Sequence, residues 1–198
     1  MRVFYWLSLF LFLCVGNPNL VMGQLSTVGK EFWVGFMENN RVFPSGPNNQ
    51  GAMDFAVLVI TATENTTGSI EYLGNVQSFN LTAGQQFTLR VPSDDLDLLH
   101  RTSGAVENKG IYITASGKVA VHAFNERFRS ADGTLVLPVG TLGRDYYITS
   151  HFETLTVNAG FNGNVNNEST LLVIATEDKT SIEITPSVAT INGNPAKT

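Results

Sequence analysis

The chain has 198 residues and a net charge of −5, from 17 acids scattered among 12 lysines and arginines. Without a basic stripe, a nucleic-acid partner is excluded. The one cysteine, Cys14, sits in the N-terminal apolar run, so the rest of the chain must hold together through a hydrophobic core and not disulfides, and its length suffices for that.

Arg2 followed by the apolar stretch 3–15, a polar stretch with Pro18, and Val21-Met22-Gly23 reads as a secretory signal peptide over 1–23 with cleavage before Gln24. Thirteen apolar residues fall short of the roughly 20 that cross a bilayer, and no later segment is long and apolar enough. The expected location is therefore secreted or on the cell surface.

From there on, short alternating runs of Val, Ile, Thr, Phe and Tyr are bounded by Gly, Asn, Pro and Asp, which predicts an all-β chain. In chain order the spacing predicts strands over 31–37, 53–62, 69–73, 77–81, 86–91, 110–115, 118–125, 134–137, 144–150, 169–175 and 180–185. Ser116-Gly117-Lys118 between two of these runs predicts a hairpin with glycine at its tight turn. The stretch 93–108, with Asp94, Asp95 and Asp97 near its start, is the one candidate for a short helix. Two segments, NNRVFPSGPNNQ over 39–50 and NAGFNGNVNN over 158–167, have the composition of irregular surface loops.

A duplication links these elements. GKEFWVGF from Gly29 and GRDYYITS from Gly143 carry the same order of glycine, base, acid, two aromatics and a β-branched residue, 114 residues apart. At the same offset Leu58-Val59-Ile60 meets Leu172-Val173-Ile174; at 113, Ala62-Thr63-Glu64 meets Ala175-Thr176-Glu177; at 112, Ser69-Ile70-Glu71 meets Ser181-Ile182-Glu183. Collinear matches separated by single-residue gaps in turns predict a β-sandwich unit of about 114 residues followed by a truncated second copy. The expected organisation is unit one over 24–142 and an incomplete unit two over 143–198, a fragment of a longer protein; alternatively, the half unit completes a single larger sandwich.

The series GKEFWVGFMEN, KGIYITASGKVAVHAFN, DGTLVLPVGTLGRDYYI and LLVIATEDKTSIEI, from about Gly29 to the end, resembles the IgGFc-binding protein N-terminal domain family. The resemblance is most specific over 135–147. It implies an extracellular interaction or adhesion module such as stands near the N-terminus of large secreted or surface proteins. It does not imply antibody binding, since no Fc-contact residue can be carried over.

Candidate sites are few. His100, His122 and His151 lack zinc-site spacing, no G-x-S-x-G elbow is present, and no cysteine is left as a nucleophile, so no catalytic residue is assigned. Asp94, Asp95 and Asp97 are the weak calcium candidates, although the run lacks the alternating acids and central glycine of an EF-hand loop; no other cofactor is expected. Loops on a rigid β scaffold often carry recognition, which makes Arg41, Phe43, Phe161 and Asn164 the candidate ligand-binding residues. The expected function is a non-catalytic adhesion or protein-interaction module whose partner is an extracellular protein or glycan. The alternative is a carbohydrate-binding or carbohydrate-active β-sandwich.

Overall fold

A computed structural model of the chain describes residues 25–37, 54–92, 98–127, 130–149, 153–155, 165–167 and 170–187. The strands in chain order are β1 (Val28–Val34), β2 (Phe36–Met37), β3 (Phe55–Ala62), β4 (Thr66–Tyr72), β5 (Asn75–Leu81), β6 (Gln86–Pro92), β7 (Leu99–His100), β8 (Ile111–Arg127), β9 (Ser130–Val136), β10 (Glu153–Leu155) and β11 (Val165–Asn167). The protein is all-β and sandwich-like. The 1–23 segment and both Asn-rich loops, apart from the β11 backbone, lie outside the described residues.

One strand organises the rest. β8 pairs antiparallel with β1, β3, β4 and β9, and the main sheet runs β5-β4-β8-β3-β6 with β1 and β9 also on β8. The first half of β8 is held by β1 and β4, with Ile113 opposite Phe32 and Ile70. The second half is held by β3 and β9, with Val121 opposite Ile60 and Val136. β8 thus joins two half-sheets, whose outer strands β5 and β6 approach each other through the rings of Phe79 and Phe87, 5.8 Å apart. Phe32, Leu58, Ile60, Ile70, Ile111, Ile113, Val119 and Val121 are buried in one cluster between them.

The hairpin expected at Ser116-Gly117-Lys118 is not formed; β8 runs straight through it. The burial alternation stays in phase across the glycine, with Ile111, Ile113, Gly117, Val119, Val121 and Ala123 all facing inward. The β-ladder is interrupted there, and side chains from the β3–β4 turn replace it. The Gly117 amide donates to Thr66 Oγ1 (2.8 Å), the Lys118 amide to Glu64 Oε1 (2.7 Å), and Thr63 Oγ1 donates to the Lys118 carbonyl (2.8 Å). Ser116 Oγ accepts from the Thr67 amide at 3.0 Å. A Cβ on Gly117 would stand 2.9 Å from Glu64 Cγ, so glycine serves here as space for this clamp and not as a turn former.

Two further expectations are corrected. The helix over 93–108 is absent from its described part, 98–108. There Leu98 and Leu99 are both fully buried, and Leu99–His100 pairs parallel with Phe36–Met37; adjacent buried leucines followed by an extended pair anchor a segment lying across the core edge. The strands expected over 144–150, 169–175 and 180–185 are also irregular wherever they are described. Each is without a strand partner there, and an isolated strand leaves its backbone groups unpaired and its apolar side chains in water.

The close approach of β4 to its neighbours depends on Gly68, where a Cβ would collide with the Phe79 ring and the Thr114 carbonyl oxygen. Gly68→Ala is expected to destabilise the fold by about 1–3 kcal/mol, measured by urea unfolding. An unchanged midpoint would contradict this packing.

Candidate functional site

The strand register gathers several connections at one end of the sheet. Phe55 at the start of β3 pairs with Pro92 at the end of β6 and with Glu126 near the end of β8, and Arg127 pairs with Ser130 at the start of β9. The 38–53 connection leaves after Met37 and returns at Asp54, and the 93–97 connection leaves after Pro92. The chain entries and exits of two sequence-predicted regions therefore share one rim.

That rim is fastened by charge and hydrogen bonds. Asp54 is completely buried, and its Oδ1 lies 3.2 Å from Nη1 of the largely buried Arg127. A carboxylate taken out of water is costly unless paired, so the ion pair fixes the point where the 38–53 connection re-enters the sheet. Asn125 Nδ2 donates to the Met37 carbonyl at 2.7 Å and fixes the point where it leaves. Beside them Arg90 Nε donates to Glu126 Oε2 at 2.8 Å while its guanidinium lies 3.3 Å above the Phe55 ring centre. That pair is half exposed and contributes at most about 1 kcal/mol, but it leaves a cation stacked on an aromatic at the surface.

A second polar cluster ties the 98–110 segment to the core edge. Lys109 Nζ donates to the Leu99 carbonyl (3.0 Å) and pairs with Glu107 Oε1 (2.8 Å), while His100 Nδ1 lies 3.4 Å from Glu107 Oε2. The hydrogen bond from Lys109 holds the Glu107 carboxyl below its ordinary range, and the charges of Lys109 and His100 act in the same direction. Among the described residues no group of three or more His, Cys, Asp or Glu side chains is arranged to hold a metal ion.

Between β1 and β9 runs an open apolar groove of about 420 Å³ that includes Trp33, Gly35, Val136, Leu172 and Ile174 in its walls. Ile174 lies where a side chain on Gly35 would project, so glycine at 35 lets the 170–174 segment rest on β1. Trp33 packs on Tyr112 with ring centres 4.6 Å apart, and Tyr112 donates to Glu31 Oε1 at 2.9 Å. Burial, reinforced by that carboxylate, raises the Tyr112 phenol above its ordinary value. The Trp33 and Tyr112 rings thus serve as packing.

Arg41, Phe43, Phe161 and Asn164, and the acids Asp94, Asp95 and Asp97, lie outside the described residues. What the structure adds is the common rim for 38–53 and 93–97, and the 156–164 connection between the paired strands β10 and β11. Asp54, Asn125 and Arg127 escaped the sequence reading. The signal was present in Asp54, an acid at the head of the apolar run FAVLVI, where a charge needs a buried partner.

Arg127→Leu is expected to cost about 3–5 kcal/mol by leaving Asp54 without this cation, with the Asp54→Asn/Arg127→Leu pair recovering part of the loss. Urea unfolding of the three variants checks this; a loss below about 0.5 kcal/mol in the single variant would rule out a structural ion pair.

No curated protein and no solved structure matches the chain. The family comparison does give a match, which starts inside β9, takes in the irregular 170–187 segment, and leaves 29–131 outside it. Residues 132–198, about a third of the chain, match the family model for IgGFc binding protein.

Proposed function

We propose that the protein is a non-catalytic, extracellular protein-interaction module, part of a larger secreted or cell-surface protein, that binds a partner through the connections rising from the β3–β6–β8 rim. The observation that carries this reading is the match of 132–198 to a family named for binding a protein. The rim supports it physically. Asp54–Arg127 and Asn125–Met37 hold both ends of the 38–53 connection, and a connection fixed at both ends loses less entropy when it engages a partner. Arg41 and Phe43 are the side chains of that connection with the chemistry of interface anchors. Export through the 1–23 segment would deliver the module to extracellular partners.

The test is a screen of the chain against a panel of purified extracellular proteins, with immunoglobulin Fc among them, beside a glycan array. Saturable binding to a protein is expected, weakened at least about tenfold in Arg41→Ala/Phe43→Ala and unchanged in Val76→Asp, a substitution on the exposed face of β5. Binding confined to glycans would favour a carbohydrate-binding module instead. Binding that survives the double variant would remove the rim from the account.

A further inference from the structure

Among the described residues, four strands of the main sheet keep an open edge: β1 and β9 each pair with β8 alone, β6 pairs with β3, and β5 pairs with β4. An open edge presents unpaired backbone groups, and folded proteins guard it with charged residues or proline. Three of these strands are guarded in that way. β1 carries Lys30 and Glu31, β6 carries Arg90 and Pro92, and β9 carries Asp132. β5, with the sequence NVQSFNL, has no charge, no proline and no glycine. Its residues 75–78 are all exposed, Val76 by 65%.

The hairpin that forms β5 decides which of its backbone groups face outward. Leu73 and Gly74, both at positive φ, make a two-residue turn between Tyr72 and Asn75. In such a hairpin the pair flanking the turn is hydrogen-bonded, and bonded pairs then alternate with non-bonded ones. Asn75, Gln77 and Phe79 therefore turn their amides and carbonyls to β4, while Val76, Ser78 and Asn80 turn theirs to the open edge. The Ser78 carbonyl accepts from Gln77 Nε2 at 3.0 Å, a local bond that a second strand would displace. β6 comes near through the Phe79 and Phe87 rings, but no ladder joins the two strands.

We infer that the chain forms a two-fold dimer in which β5 pairs antiparallel with β5 of a second copy, centred on Ser78. The occupant is a second copy because this edge is complementary to itself. Around that centre Ser78 meets Ser78 and Val76 meets Asn80, so the outward backbone groups of each strand find those of the other. No charge opposes its like. The one charge on the neighbouring strand β4 is Glu71, opposite Val76. Strand spacing and rise put the two Glu71 carboxylates of the dimer about 20 Å apart, beyond the screening length of about 8 Å. The dimer thereby joins two sheets into one, with main-chain hydrogen bonds at the seam. It rests on the β5 edge and not on the rim, so it stands or falls separately from the proposed function.

The test is sedimentation equilibrium of the full chain from about 5 to about 500 μM, with hydrogen exchange at both ends of that range. The average mass is expected to rise from one chain toward two, with added amide protection at 76, 78 and 80 at the higher concentration. Ser78→Lys and Ser78→Glu change an exposed position and so are compatible with folding. Each sets like charges opposite one another at the two-fold centre and should weaken the dimer at least about tenfold, whereas an equimolar mixture of the two variants should restore it. Four outcomes would overturn the inference: a single-chain mass at every concentration, a dimer that tolerates both Ser78 variants, a mixture that associates no better than either variant alone, or association that leaves the amides at 76–80 unprotected.

Discussion

The main sheet of this protein depends on the edge-sharing of β8. A strand has two edges, and most strands use each once. β8 is long enough to use each twice, giving its first half to β1 and β4 and its second half to β3 and β9. The changeover at 116–118 breaks the ladder, and an unpaired backbone group inside a core, as the Gly117 amide would be, costs of the order of 1–3 kcal/mol. Thr66 removes that cost, and the Thr63, Glu64 and Ser116 side chains bond the exposed backbone groups beside it. The β3–β4 turn is thus a substitute for the missing ladder as well as a connection.

Much of the main sheet was legible in the sequence because its strands alternate and its turns are marked by glycine and asparagine. The runs through FAVLVITA and QFTLRVP emerge as β3 and β6 nearly residue for residue. Gly117 misled because a glycine flanked by serine and lysine is ordinary turn chemistry, yet the inward positions 111, 113, 117, 119, 121 and 123 remain in phase across it. The acids before Leu98 suggested a helix start, whereas burial of Leu98 and Leu99 decided the conformation. Tertiary pairing overrides local preference in both cases. The rim was not legible, because the closeness of Asp54 to Arg127 and of Met37 to Asn125 arises only from strand order and register.

The irregular C-terminal part is informative for the same reason. Residues 144–148, 171–174 and 181–184 have the apolar and β-branched composition of strands, but such patterning only selects which face a strand would bury and cannot supply the neighbour that buries it. Ile174 finds partial shelter against Trp33 and Gly110, in the space left by Gly35. Tyr147 stays fully exposed. The family match spans this part together with the paired strands β9, β10 and β11.

The most direct measurement is native-state hydrogen exchange on the chain alone, resolved by residue. If β8 is the shared element, its amides at 111–115 and 119–126 exchange only through global unfolding, at least about a thousandfold more slowly than those at 171–175 and 181–184. Comparable protection in the C-terminal segments would mean that they too are paired in a ladder, and would contradict the account.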